Sequence, residues 1–331
     1  MKNILVVGGA GYIGSHTVKA LNKAGYTPII LDNLSSGHKE AVAGSKLIVG
    51  ELAEKERLTQ ILKAENISAV MHFAGKIDAA ESVQKPLEYL QANCFDGVNL
   101  LLGMQECGLK NIIFSSTAAV YGDAEKLPIT EDAPKEPTNP YGLSKLLFEE
   151  VLQYYEQQAQ LRYVSLRYFN AAGADMEGEL GDDHASKTHL ITSAILTALG
   201  DREKLKLFGT DYPTPDGTCI RDYIHVDDLA EAHVLALDYL LRNNESAIFN
   251  LGSENGFSNR QIVEAVKEIS ATDFKVEETA RREGDPAALL ASAEAARKVL
   301  GWKVRHSDLK TIIQSAYNWQ KDHPEGYQTS V

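Results

Sequence analysis

The stretch "NILVVGGAGYIGSHTVKALNKAGYTPIILD", residues 3–32, decides the fold. Its opening, "NILVVG" (3–8), is apolar, rich in branched side chains and too short for a helix, so it reads as a buried strand. "YIGSHTVKALNKAG" (12–25) reads as a helix closed by Gly25, and "TPIILD" (27–32) as a second strand. The turn between strand and helix, "GGAGYIG" (8–14), fits G-x-G-x-x-G through Gly9, Gly11 and Gly14. It also fits G-x-x-G-x-x-G through Gly8, Gly11 and Gly14. Such a turn lets a pyrophosphate reach the N–H groups that open the helix. Asp32 ends the second strand eighteen residues beyond Gly14. A carboxylate there bonds ribose hydroxyls and repels a 2′-phosphate, which favours NAD over NADP. The competing reading is a plain strand–helix–strand turn with an Asp that caps a helix.

Outward from this unit the alternation continues. "KLIVG" (46–50) is a third strand, followed by a helix near 54–64; "SAVMHFA" (68–74) is a fourth. A long helix runs from about Pro86 to Gly108, then come "NIIFSS" (111–116), a helix from near Tyr141, and "YVSLRYFN" (163–170). Apolar strands alternating with helices predict an α/β fold: a Rossmann-type, doubly wound parallel sheet covered on both faces. After residue 170 the rhythm breaks into a polar loop, a helix near 189–199, short strands and "CIRDYIHV". Asp228 with Glu231 predicts a capping box opening a helix over 229–241. "AIFNLG" (247–252) reads as a strand returning to the large sheet, and helices are expected near 258–270, 292–300 and 307–321. The expected division is an NAD-binding domain over 1–170, with segments near 220–255 returning to it. A smaller mixed α/β lobe over 171–331 remains.

Among 331 residues, 46 acidic against 33 basic give a net charge of −13, which excludes nucleic acid and membrane as expected partners. The apolar start stops at Gly8, too short for a secretory signal, and no run is long enough to span a bilayer. Cys94, Cys107 and Cys219 are odd in number and far apart, which suits a reducing cytoplasm and gives no metal spacing.

The fifth strand ends in "SSTAAVYG" (115–122), and "NPYGLSK" (139–145) sets Tyr141 and Lys145 four apart on one helical face. A free tyrosine titrates near 10. One positive charge about 4 Å away, at an effective dielectric of ~20, lowers that by about 3 units. Tyr141 so tuned is a general base at neutral pH.

Taken in order, "GGAGYIG", "SSTAAVYG", "NPYGLSK", "RYFNAAG", "RDYIHVDDLA" and "RREGD" resemble the extended short-chain dehydrogenase/reductases, and among them the UDP-glucose 4-epimerases. The resemblance runs from Asn3 to "GY" at 326–327. It implies an isomerase with tightly held NAD that interconverts UDP-glucose and UDP-galactose through a 4-keto sugar. Tyr141 would take the proton of the sugar 4-hydroxyl, Thr117 would bond the 4-oxygen and relay the proton, and Lys145 would bind the nicotinamide ribose and hold the tyrosine acidic. Tyr12 and Ile13 would lie at the pyrophosphate; Asp32, Asn33, Glu51 and Leu52 at the adenosine; Phe73, Ala74, Gly75 and Phe169 along the cofactor. Asn170, Arg221, Arg282 and Asp285 resemble the residues that hold UDP, Arg221 and Arg282 having a surface ion pair as their alternative. Leu190 with Lys206 and Phe208 resembles a uracil wall or, equally, apolar core; His189 is a ligand contact or a helix start. The helices near 87–107 and 142–159 resemble those that pair two subunits, implying a homodimer.

Three positions depart from the pattern: Ile77 stands where some members carry lysine, with Lys76 one place early; Ala92 replaces the first of two asparagines; Leu289 stands where some carry tyrosine. The smaller Leu289 opens the site to UDP-GlcNAc and UDP-GalNAc. Ala118 and Ala119 after Thr117 cannot do acid–base work, which argues against a dehydratase. The alternatives are a 4-epimerase of another nucleotide sugar, such as a UDP-uronic acid, and an NAD-binding regulator without turnover.

Overall fold

The structure is a computed structural model that describes residues 1–184, 187–282 and 285–327. Its strands are β1 (Asn3–Val7), β2 (Thr27–Asp32), β3 (Lys46–Val49), β4 (Ile67–His72), β5 (Asn111–Thr117), β6 (Arg162–Tyr168), β7 (Asn170–Ala172), β8 (Leu205–Phe208), β9 (Ile220–His225), β10 (Ala247–Leu251), β11 (Gly256–Ser258), β12 (Val276–Thr279) and β13 (Ala288–Leu289). Seven of them form one parallel sheet in the order β3-β2-β1-β4-β5-β6-β10. The order reverses between β1 and β4, and ligands of such sheets sit outside the strand ends at that point. The doubly wound expectation therefore holds, and "AIFNLG" is the seventh strand.

The helices are α1 (Tyr12–Lys23), α2 (Lys55–Ala64), α3 (Ala79–Gln84), α4 (Pro86–Leu90), α5 (Asp96–Glu106), α6 (Pro140–Ala159), α7 (Leu190–Leu199), α8 (Val226–Asn243), α9 (Asn259–Ser270), α10 (Glu294–Leu300) and α11 (Leu309–Asp322). One sheet face is covered by α1 and α8, whose Val18, Leu21, Leu229 and Leu237 meet Ile4, Val6 and Met71. The other face is covered by α2, α5 and α6, with Leu58, Leu100, Met104 and Phe148 on Leu5, Val70 and Phe114. The long helix expected from Pro86 is one rod with a wide π turn, Gln91–Phe95, joining α4 to α5.

The chain leaves the large sheet after Tyr168. β7 pairs with β9, and β9 also with β11 and β13, in a second sheet; β8 and β12 pair separately. A third core, with Ile191, Ile195, Ile262, Val266 and Ile312, joins α7, α9 and α11. Of the 220–255 segment, α8 and β10 join the large layer while β9 stays in the second sheet. The capping box expected at Asp228 is not formed. His225 caps α8 by accepting from the Asp227 N–H, and Asp228 is buried in the first turn. Its carboxylate accepts from the N–H groups of Arg305 and His306 and from the Ser307 hydroxyl, so it fastens the later loop instead. A capping box does open α9, between Ser258 and Gln261.

Candidate active site

The glycine turn is close-packed at Gly8, at Gly9, whose Cβ would lie 3.0 Å from Ile30 and Val6, and at Gly14. A Cβ at Gly8 (φ +77°) would lie 2.5 Å from the Ala74 nitrogen, and one at Gly14 only 2.3 Å from the Gly8 oxygen. Gly11 meets nothing closer than 3.5 Å. It begins α1 without a side-chain cap and with no acid in the first turn, so the N–H groups of the Tyr12–Ile13 turn keep their positive field for an anion. Asp32 ends β2 with Oδ2 accepting from the Ala10 N–H (2.9 Å) and Oδ1 from the Leu34 N–H (2.8 Å). That fixes the carboxylate and leaves lone pairs on both oxygens. Asn33 uses its own oxygen to accept from the Ser35 N–H in a local turn. Glu51 is exposed beyond β3 and Leu52 is buried beside it. The donor turn, fixed carboxylate and strand ends fit a dinucleotide.

Beyond β4, the N–H groups of Phe73 and Ala74 both donate to the Val7 oxygen. Phe73 packs on His233 at 4.7 Å between ring centres. Gly75 passes so near that a Cβ there would be 2.7 Å from Asn93 Oδ1 and 3.5 Å from Lys145 Nζ. Asn93, in the wide π turn, accepts from the Lys76 N–H and donates to the Lys76 oxygen and to Ser144 Oγ. It thereby ties the β4 loop to α6. The Lys76 ammonium turns away to Glu88 at 3.1 Å.

Asn139 caps α6 by accepting from the Gly142 N–H, and Pro140 opens it, so Tyr141 stands in the first turn with Lys145 and Glu149 below it. Tyr141 is half-buried and Lys145 buried. Thr117, the last residue of β5, accepts from the Ala119 N–H and has its side chain beside the Tyr141 phenol. Lys145 Nζ donates to the Ser115 oxygen at 3.1 Å and lies over the Phe114 ring. Burial raises the Tyr141 phenol above its usual range, against a smaller pull from Thr117. Burial lowers Lys145 to about 8, against the pull of Glu149. The tuning expected of Lys145 on Tyr141 is thus absent in the protein alone: the ammonium points at the strand carbonyl, and desolvation outweighs its attraction. One neighbour escaped the sequence reading. Tyr168 bonds Ser115 Oγ and faces Tyr141. Its only sequence signal was its place in "RYFN" at a strand end.

A second group lies in and around the smaller sheet. Asn170 Nδ2 donates to the Asp222 oxygen at 2.8 Å. Arg221 donates to the Pro286 oxygen and pairs with Asp285 at 3.5 Å. Arg282 stacks over the Phe208 ring at 4.0 Å, while Lys206 on the same strand points to solvent. Leu289 lies beside Arg221 in register and packs, with Phe169, against Ala118, Val120 and Tyr121 just past Thr117. Leu190 contributes to the third core; His189 sits beside His184, whose ring meets Tyr12 edge-on. Residues 283 and 284 of "RREGD" lie outside the described residues.

The profile of the NAD dependent epimerase/dehydratase family matches residues 4–252. The UDP-glucose 4-epimerase of Streptococcus mutans is 47% identical over 327 residues, 98% of each chain. The solved UDP-glucose 4-epimerase of Brucella ovis, in complex with NAD, superposes with a TM-score of 0.94 at 45% identity, over 96% of this chain and 98% of that one. The UDP-Glc/GlcNAc 4-epimerase of Campylobacter jejuni gives 0.85 at 42%, over 97% and 100%. The chain belongs to the NAD dependent epimerase/dehydratase family, and within it to the UDP-glucose 4-epimerases.

Proposed function

We propose that Tyr141, Thr117 and Lys145 carry out the epimerisation of UDP-glucose and UDP-galactose at this site. The observation that supports this best is the placement of Tyr141 in the first turn of α6, beside Thr117 at the end of β5, with the buried Lys145 one turn below it and bonded to the Ser115 carbonyl. NAD, the cofactor of this isomerase, accepts and returns the hydride of the sugar's C4 when bound, so none is consumed. Gly8, Gly11, Tyr12, Ile13 and Gly14 bind its pyrophosphate, Asp32 its adenosine ribose, and Phe73, Ala74, Gly75 and Phe169 its further length. Asn33, Glu51 and Leu52 complete the adenosine end. Tyr141 would take the 4-hydroxyl proton and later give it back; Thr117 would bond the same oxygen; the Lys145 cation would hold the nicotinamide ribose and, only together with the cofactor's positive charge, would oppose the burial that keeps the phenol high in the protein alone. Asn170, Arg221, Arg282 and Asp285 hold UDP, the guanidinium forks matching diphosphate oxygens. Phe208, under the Arg282 guanidinium, and His189 stand on the uracil side in this reading, with Leu190 packed behind in the third core and Lys206 at the solvent edge. In this reading residues 1–170, with α8 and β10, form the NAD domain and the rest mostly the UDP-sugar lobe. Tyr141→Phe should lower UDP-galactose conversion at least ~10²-fold, a loss typical of a missing acid–base group; an unchanged rate sinks the assignment.

Leu289 supports a wider substrate range. It borders the cluster beyond Thr117, and leucine leaves room for a 2-acetamido group, consistent with a dual-specificity relative at 42% identity. UDP-GlcNAc and UDP-GalNAc are therefore substrates too. A kcat/KM more than ~10³-fold lower than for the unsubstituted pair overturns this.

The protein works as a cytoplasmic homodimer in this proposal. Val83, Leu87, Phe95, Leu102, Leu143 and Tyr154 are exposed apolar side chains on α3, α4, α6 and the π-turned rod. An apolar cleft between Cys94, Phe95, Leu147, Val151, Tyr154 and Tyr155 adjoins them. A patch of this kind marks an association surface. Three free cysteines support a reducing compartment, and no helix among the described residues is long and apolar enough to cross a membrane.

A further inference from the structure

Three successive residues of β5 engage three successive turns of α6. The Ser115 carbonyl accepts from Lys145, the Ser116 hydroxyl donates to Glu149, and the Thr117 side chain stands beside the Tyr141 phenol. Two of these helix residues carry the proposed chemistry. The third, Glu149, faces away from the cleft and is 4% exposed.

Glu149 meets Arg167 of β6, itself 1% exposed. Arg167 Nε donates to both carboxylate oxygens, at 3.0 and 3.2 Å, and Nη2 to Oε2 at 2.5 Å. Arg167 Nη1 donates to the Tyr121 hydroxyl at 2.8 Å, and that hydroxyl donates to Asn250 Oδ1 at 2.7 Å on β10. One carboxylate thus bolts the catalytic helix to two adjacent strands, with a third reached through Arg167. Buried ion pairs of this kind are seldom net stabilisers, since apolar packing of equal volume does as well or better. What the pair adds here is a fixed height and rotation of α6. A helix turns 100° and climbs 1.5 Å per residue. A small slip of α6 along β5 would part Tyr141 from Thr117 and Lys145 from the cofactor side of the sheet.

We propose that Glu149 is a positioning residue for the epimerisation, setting α6 on β5 through Ser116 and Arg167 and supplying the anion that keeps Lys145 charged. The proposal rests on the assignment of Tyr141 and Lys145 above. The other groups around Lys145 do not supply that anion. Tyr141 on α6 and Tyr168 on β6 are neutral phenols held above their usual range, His72 at the end of β4 is kept neutral by burial, and Asn93 is uncharged. Arg167 is a cation and would repel Lys145 once Glu149 were neutral.

The test compares kcat, KM for UDP-galactose and the pH profile of kcat in the NAD-loaded enzyme. Ser116→Ala removes one bond, Glu149→Asp keeps the charge and loses the reach, and Glu149→Gln keeps the shape and loses the charge. Ser116→Ala and Glu149→Asp should lose roughly 10-fold or more in kcat with KM within about twofold, as a misplacement below 1 Å would produce. Glu149→Gln should also move the alkaline limb of kcat to lower pH, while Glu149→Asp leaves that limb in place. Wild-type kcat in both Ser116→Ala and Glu149→Asp overturns the proposal, as does a loss confined to melting temperature. If Glu149→Gln does not fold, the first two variants decide. Tyr141→Phe runs alongside: activity there refutes the underlying assignment, whereas wild-type kcat in Ser116→Ala and Glu149→Asp with Tyr141→Phe dead refutes only the role of Glu149.

Discussion

Lys145 places a limit on the working pH. Burial brings it down to about 8, and the role proposed for it needs the charged form. The sign follows: a lysine loses its charge as pH rises through its pKa, so kcat should fall above about pH 8, and a kcat–pH profile checks this. Lys145→Met should abolish that limb along with most of the activity. Gly14→Ala tests the cofactor end. The added methyl meets the Gly8 oxygen at 2.3 Å, backbone against backbone, so the turn must open. Purified Gly14→Ala protein should carry less than about a tenth of the NAD of wild type, since a displacement of this size breaks several charge-assisted bonds to a phosphate; the nicotinamide released on denaturation measures it. At this scale Tyr141, Lys145, Thr117 and Asp32 were legible because each sits at a strand end or helix start that sequence marks clearly. Glu149, Ser116 and Tyr168 were not, because their partners lie 18 to 53 residues away and only the folded sheet brings them together.

Elements were legible where hydrophobic period and punctuation agreed, and less so where a side chain had two possible partners. Asp228 illustrates the second case. Its spacing to Glu231 suited a capping box, yet its carboxylate serves the loop at 305–307, 77 to 79 residues on. Asp228→Ala would remove the carboxylate that accepts from two part-buried N–H groups and the Ser307 hydroxyl, so it should destabilise by about 2–4 kcal/mol. Ser258→Ala breaks a formed capping box and should destabilise by about 1 kcal/mol. Urea denaturation of the two variants should rank them in that order. The sixth strand shows another limit. "YVSLRYFN" reads as one run, but it divides at Phe169 between two sheets. Apolar periodicity is the same on both sides of such a break, so only tertiary pairing reveals it.

For the whole molecule, the parallel sheet followed from the alternation of strands and helices, while the second sheet did not, because its strands are as short as two or three residues. The proposed dimer depends on side chains the monomer leaves bare. Leu87→Asp, at a residue 77% exposed, should leave the fold intact and shift sedimentation toward monomer. A charge costs little on a free surface and much in a buried apolar interface.

Tyr327 closes the molecule. Its N–H donates to Asp183, its ring lies 5.0 Å from that of His38, and its hydroxyl accepts from the Gly181 N–H. His38 in turn donates its N–H to the Ala10 oxygen of the glycine turn. Tyr327 therefore backs, through His38, the glycine turn that opens the large sheet. The glycine turn forms from local sequence, but this wall of it needs a contact of long sequence separation, the slower kind to form. A chain in which the segment around Tyr327 is displaced would keep the turn and lose that wall.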